Sequence, residues 1–225
     1  MIDPALIDTA GPHHDVVDLV DIEWVDGRLP LAGVLRVVVR PESQSTWFLA
    51  TVCRHGGDPV VVLDYDLPLV THAFEFRAPG IWTDIVCEAE AERWTIGLEA
   101  FGIAVDPDEV VTPESVGDRL PIGFDLDVET TSAVDTDGDG IVHDVAVAGE
   151  VLVGNDAFEI DATGVRRRRW DGQPPSPSLT SPTPGIDAVG HVAVRWPGLP
   201  SPEVRGWVLG NRPGWVELSG PGSGS

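Results

Sequence analysis

Ala73–Val105, AFEFRAPGIWTDIVCEAEAERWTIGLEAFGIAV, is the stretch whose reading decides the class of fold. Side chains on a strand alternate between two faces, so a period of two can be tested residue by residue. His72, Phe74 and Phe76 share one face until Pro79-Gly80 breaks the run. Beyond the break, Trp82, Asp84, Val86 and Glu88 fall on one face and Ile81, Thr83, Ile85 and Cys87 on the other. After an acidic turn around Ala89–Arg93, Trp94, Ile96, Leu98 and Ala100 alternate with Thr95, Gly97, Glu99 and Phe101. Each strand therefore has one apolar face and one mixed face that carries a ring and a carboxylate. Two outcomes are open: the mixed faces wall a pocket for a mostly apolar ligand, or they form the solvated acidic back of a core.

Upstream, the runs Val16–Val25, Leu31–Arg40, Thr46–Arg54 and Pro59–Leu67 are each bounded by Gly, Pro, Asp or Ser, as expected of consecutive antiparallel strands. Asp26-Gly27 and Gly56-Gly57-Asp58 supply turn chemistry. Trp47, Leu49, Thr51 and Cys53 alternate with Phe48, Ala50 and Val52, so this strand is predicted to be covered on both faces. Downstream, Phe124, Leu126 and Val128 alternate with Asp125, Asp127 and Glu129, a half-exposed strand over Pro121–Glu129. Val142–Val153 and Ala157–Thr163 form a pair turned by Gly154-Asn155, and His191–Trp196, Val204–Leu209 and Trp215–Leu218 follow. The segment DGQPPSPSLTSPTPG after Trp170 is too polar to pack and reads as a surface loop. No stretch has helical periodicity and no repeat occurs. The regular turn spacing predicts an all-β antiparallel barrel or sandwich of about ten to twelve strands. It spans 15–218 as one domain, with a boundary between two halves near 106–118, a loose arm over 1–14 and a flexible tail over 219–225.

Hydrophobic residues are 42% of the 225, which suits a folded core. Fourteen basic against thirty-seven acidic residues give a net charge of −23, which repels nucleic acid and anionic membranes. No apolar run approaches the ~20 residues of a spanning helix. The start, MIDPALIDTAGPHHD, has no basic segment leading into an apolar one, so a cytoplasmic protein is expected. All fourteen basic residues are Arg, which excludes lysine Schiff-base chemistry and a Walker-type phosphate loop. Cys53 and Cys87 fit buried thiols in a reducing compartment, with a disulfide between them left open.

Asp135-Thr-Asp-Gly-Asp-Gly140 matches the first half of an EF-hand loop, but its twelfth position is Ala146, so an Asp/Gly-rich turn is expected and no metal. No cofactor motif occurs: G-x-S-x-G, C-x-x-C, H-E-x-x-H and G-x-G-x-x-G are all absent. Asp84, Glu88 and Glu99 are the candidate catalytic residues, because a carboxyl desolvated in an aromatic cavity becomes a general acid near neutral pH. Arg166–Arg169 alternate across a strand, so they are expected either as a solvated segment or as one or two guanidiniums gripping a ligand anion. His72 and His143 are expected in hydrogen-bonded structural roles.

Three segments carry a family likeness: APGIWTDIVCE with ERWTIGLEAFGIAV, GDRLPIGFDLDVE, and VAGEVLVGNDAFEIDATGVRRRRW. Over Ala73–Trp170 the chain resembles uncharacterised actinobacterial proteins related to the carotenoid hydratase and AttH-like group of calycin-type β proteins. The resemblance implies a lipocalin-like barrel with an interior suited to terpenoid-, steroid- or polyketide-like ligands. It also implies cofactor-free hydration or cyclisation in some relatives. Relatives end the third segment with Arg-Asp-His-Ser-Trp-Gly. Here Arg166 and Trp170 remain, but Arg167, Arg168 and Arg169 stand in place of the Asp, His and Ser, which favours binding over catalysis.

The expected function is therefore binding of an apolar small molecule beside Trp47, His72, Trp82, Trp94, Phe101, Arg166 and Trp170. The alternatives are a cofactor-free hydratase or cyclase working through Asp84, Glu88 or Glu99, and a structural or interaction domain with a filled core.

Overall fold

The structure, a computed structural model, describes residues 11–13, 15–136, 140–170, 188–197, 202–208 and 214–215. Among them there are fifteen strands and no helix. The first half holds β1 (Asp18–Asp26), β2 (Leu31–Arg40), β3 (Ser45–Arg54), β4 (Val60–Pro68), β5 (Phe74–Ala78), β6 (Ile81–Ala89), β7 (Arg93–Ala104) and the short β8 (Val110–Val111). The second half holds β9 (Asp118–Thr130), the short β10 (Asp135–Thr136), β11 (Gly140–Val153), β12 (Asp156–Arg169), β13 (Ala188–Val194), β14 (Glu203–Val208) and the short β15 (Gly214–Trp215). No helix among the described residues is long and apolar enough to cross a membrane.

Eight strands close on themselves in the order β1-β2-β3-β4-β7-β9-β11-β12 and back to β1, every neighbouring pair antiparallel. The closure is thinnest between β4 and β7, which meet only through Val60↔Ala104 and Val61↔Ile103. The rest of that edge of β7 pairs with β6, and β6 with β5, so this hairpin covers the gap where β4 diverges. Closure satisfies the backbone groups that an open sheet would leave at its edges. The expected boundary at 106–118 does not divide the ring: β1–β7 and β9–β12 build one barrel together.

A second sheet, β15-β14-β13-β8, lies against the outside of the barrel, with β8 and β13 parallel. It turns the outer faces of β1, β2 and β3 into a second interior. Leu19, Val34, Val38, Trp47, Leu49 and Cys53 of the barrel pack there with Val192, Val194, Trp196 and Trp207. This is why β3 is apolar on both faces, as its sequence predicts. Gly190 of β13 sits where a Cβ would lie 2.7 Å from the Cys53 Cβ, so the two sheets meet closely at that point.

The inside of the barrel is crossed by large side chains. Trp24 of β1 meets Phe124 of β9 edge-on at 6.4 Å, and Phe48 of β3 meets Phe76 of β5 at 5.2 Å. Cys87 sits on this inner face, paired with Trp94, whereas Cys53 faces outward. The two form no disulfide with each other. Burial pushes the Cys53 thiol up to about 12.

Several expectations are refined. Gly11–His13, the described end of the expected loose arm, are tied down: the Arg168 Nη2 donates to the Gly11 carbonyl at 2.6 Å and Pro12 is buried. β10 pairs with the start of β11, in keeping with a turn over 135–140, although 137–139 lie outside the described residues. The Pro/Ser-rich segment and the tail also lie outside them. No group of three or more His, Cys, Asp or Glu side chains suited to a metal occurs among the described residues.

Candidate functional site

The barrel has two different ends. One carries the turns β1–β2, β3–β4 and β11–β12, and there the ring opens into a recess of about 420 Å³. Leu31, Val52 and Val60 come down from the inner face, and Leu120, Val153 and Phe158 complete the wall. Across the rim, Arg54 Nη1 stands 3.5 Å from Asp156 Oδ2, both exposed, bridging the β3–β4 and β11–β12 turns. None of the residues singled out from the sequence lines this recess. Leu120, Val153 and Phe158 sit at strand ends beside turns, where periodicity does not tell wall from rim.

The opposite end is closed by charge. Asp18 accepts from Arg168 Nη2 at 2.9 Å, from the His13 backbone at 2.8 Å and from the His13 ring at 2.9 Å. Burial alone would raise the Asp18 pKa, but these hydrogen bonds and the Arg168 charge outweigh it and hold the carboxyl below its ordinary value. Arg166 lies over the Trp94 ring at 3.8 Å, and His143 stacks on the same indole at 5.4 Å. Trp170 is half-buried, 5.3 Å from the His13 ring. Trp94, Arg166 and Trp170 thus belong to the closed end.

The mixed faces of β6 and β7 point outward, away from the barrel interior. Cross-strand partners share a face, and Trp82↔Glu99↔Gly123↔Leu152 run as one row over β6, β7, β9 and β11. A groove of about 780 Å³ follows this row. Gly123 lies on its floor, and the edge of the Trp82 indole reaches to 3.1 Å from where a Cβ on Gly97 would stand, with the Asp84 carboxylate also against that glycine. Phe101, 56% exposed, forms the next row with Pro121. Arg77 lies 5.9 Å over Trp82 and Arg119 5.9 Å over Phe101. Sequence reading found Trp82, Glu99 and Phe101 but missed both arginines, because Arg–ring contact between neighbouring strands leaves no mark in spacing.

The remaining predicted residues are dispersed. Asp84 is half-buried and Glu88 exposed on the outer face, and Glu99 is exposed in the groove. None of the three points into the barrel interior. His72 precedes β5 and is exposed, so it does not share the buried face of Phe74 and Phe76. Trp47 forms a three-ring cluster with Trp196 at 5.8 Å and Tyr65 at 5.5 Å, which also meet each other at 5.4 Å, away from these recesses. The apposition of Trp82 and Trp94 across one pocket is overturned: one indole is outside the barrel and the other inside.

A six-residue ion cluster lies between the two sheets. Arg36 Nε reaches Asp21 at 3.1 Å, and its Nη1 meets both Glu203 oxygens at 2.7 and 2.8 Å. Arg205 reaches Glu203 at 3.2 Å, Glu23 at 3.2 Å and Asp21 at 2.9 Å. Arg167 reaches Asp21 at 3.3 Å and also binds Glu23. Burial pushes the Glu23 carboxyl above its ordinary value against the pull of Arg167. It likewise pushes Glu203 up to about 7, against Arg36 and with Asp21 and Glu23 adding to the rise. The solvated reading of Arg166–Arg169 is therefore corrected: Arg166 and Arg168 are buried inside the barrel and Arg167 is held between the sheets. Every acid in it faces guanidinium, and the cluster ties β14 to β1, β2 and β12.

No family model matches the chain, and no curated protein and no solved structure matches it.

Proposed function

We propose that this protein binds a largely apolar small molecule, terpenoid-, steroid- or polyketide-like, at the open mouth of the barrel. The recess between the β3–β4 and β11–β12 turns carries this reading: about 420 Å³, walled by Leu31, Val52, Val60, Leu120, Val153 and Phe158. Ligand pockets typically measure ~300–1,000 Å³ and are mostly apolar with a few polar groups at the edge. The Arg54–Asp156 pair is exposed and worth about 0–1 kcal/mol, so a ligand displaces it at little cost. Trp24 and Phe124 occupy the interior, so the ligand sits at the mouth rather than deep in the barrel. The likeness of Ala73–Trp170 to the calycin-type group agrees with this kind of ligand. Asp84, Glu88 and Glu99 do not line the recess, whose polar edge is Arg54, Asp58, Asn155 and Asp156.

Farnesol, progesterone and emodin sample the three ligand classes. A ligand present at about a hundredfold over its Kd adds about 2.7 kcal/mol, a rise of several degrees in melting temperature for a chain of this size. Val153→Trp, which fills the recess, is expected to abolish the rise. A flat response to all three probes and to their close analogues would overturn the reading.

A further inference from the structure

We infer that the groove outside the barrel is a second and separate ligand site, one that takes a neutral saccharide. Its two rings are presented as platforms. Trp82 lines the groove directly across from Glu99, its ring edge brought close to the backbone by the absent side chain of Gly97, and Phe101 is 56% exposed two residues along the strand from Glu99. Trp82 and Phe101 are therefore diagonal neighbours on adjacent strands, about 7–8 Å apart on the same face, the scale of one sugar ring. The faces of aromatic rings carry partial negative charge, which attracts the weakly positive C–H groups on the face of a pyranose.

The polar groups around the rings match hydroxyls. Arg77 and Arg119 bring donors to the two rings, and Glu99, between Trp82 and Phe101, brings an acceptor. A hydroxyl both donates and accepts, so it uses both kinds of partner. The guanidiniums are available: Arg77 stands 3.9 Å from an exposed Glu75, and Arg119 forms no ion pair among the described residues. A purely apolar ligand would desolvate two guanidiniums and a carboxylate without replacing their hydrogen bonds. An anionic one would approach against a net charge of −23 and meet Glu99 in the groove. A neutral polyhydroxylated ring carries neither cost. The groove runs open across four strands, which suits a chain of sugars lying along the surface.

The test is titration calorimetry and saturation-transfer NMR on the full chain with neutral hexasaccharides of glucose (α- and β-linked), xylose, mannose, N-acetylglucosamine and arabinose. A hexagalacturonide serves as the anionic comparison. At least one neutral hexasaccharide is expected to bind, with affinity lowered tenfold or more in Phe101→Ala and several-fold in Glu99→Gln. Phe101 is exposed, so its variant is expected to keep the parent melting temperature. Trp82→Ala should lose binding as well, and Val153→Trp, at the barrel mouth, should retain it. Binding to none of the neutral sugars, binding only to the galacturonide, or full affinity in Phe101→Ala would each overturn the proposal.

Discussion

At the scale of single residues, the sharpest constraints lie where a backbone and a ring approach closely. Gly33 lies beneath Trp24: an added Cβ would stand 2.5 Å from the indole and 2.9 Å from the Thr51 carbonyl. Both neighbours are buried and neither has room to move. Gly33→Ala is expected to cost about 1–3 kcal/mol, as overpacking in a core does, measured by urea unfolding. Arg36 is the second such residue. It grips Glu203 with one nitrogen and Asp21 with another, fully buried. Arg36→Met leaves those carboxylates short of a partner in a dry layer, and breaking a buried pair this way costs about 3–5 kcal/mol. A loss below 1 kcal/mol in the same unfolding assay would mean that water enters between the sheets. Neither residue announces itself in the sequence, because Gly33 and Arg36 owe their importance to partners on other strands.

At the scale of elements, most strands were legible. β2 has the bounds its apolar run predicts, and β3, β4 and β11 differ from prediction by one or two residues at either end. β12 was not: it continues through Arg169, past the expected end at Thr163. Four arginines in succession have no hydrophobic period, yet Arg166 and Arg168 enter the barrel while Arg167 between them enters the layer between the sheets. The same holds for β1, whose Asp21 and Glu23 interrupt an apolar run and are fully buried under β14. That burial gives β14 a pH dependence. The folded pKa of Glu203 is raised from 4.5 to about 7, so the native state holds the proton more tightly than the unfolded chain. Its contribution is fully present below pH 4.5 and is lost as the pH rises toward and through 7. Arg36, Arg205, Arg167, Asp21 and Glu23 all act on this carboxyl or its partners, and Glu23 is shifted in the same direction. In Glu203→Gln the decline in stability between pH 5 and 7.5 is expected to flatten by up to about 3 kcal/mol. A parallel pH profile in parent and variant, followed by thermal melts, would remove Glu203 as its source. Asp18 works oppositely: its lowered pKa stabilises the fold above pH 3.8, and the gain disappears on acidification below it.

At the scale of the molecule, the barrel and the four-stranded sheet form two interiors that share one wall. A chain ending at Trp170 would uncover Trp47, Leu49, Val34 and Val38 together, a contiguous apolar face of the kind that drives association. Such a truncation is expected to bind a hydrophobic dye and to elute as aggregates in size-exclusion chromatography, whereas a monomer with the parent's dye response would show that the barrel stands alone. The amino-acid sequence by itself determined what depends on neighbours along the chain. This includes the all-β class, the run of antiparallel strands, the doubly apolar β3, the mixed and apolar faces of β6 and β7, and the absence of lysine chemistry. Which way those faces point was decided only by closure of the ring. A strand of period two has the same pattern whether its apolar side turns inward or outward, and curvature sets the choice. Ala73–Val105 accordingly keeps its alternation, and of its two open outcomes the outward one holds: Ile81, Ile85, Trp94 and Ile96 fill the barrel, while Trp82, Glu99 and Phe101 lie on the outer face. The ion cluster and the mouth recess likewise depend on contacts between residues as far apart as Asp21 and Arg205, and local spacing carries no record of them.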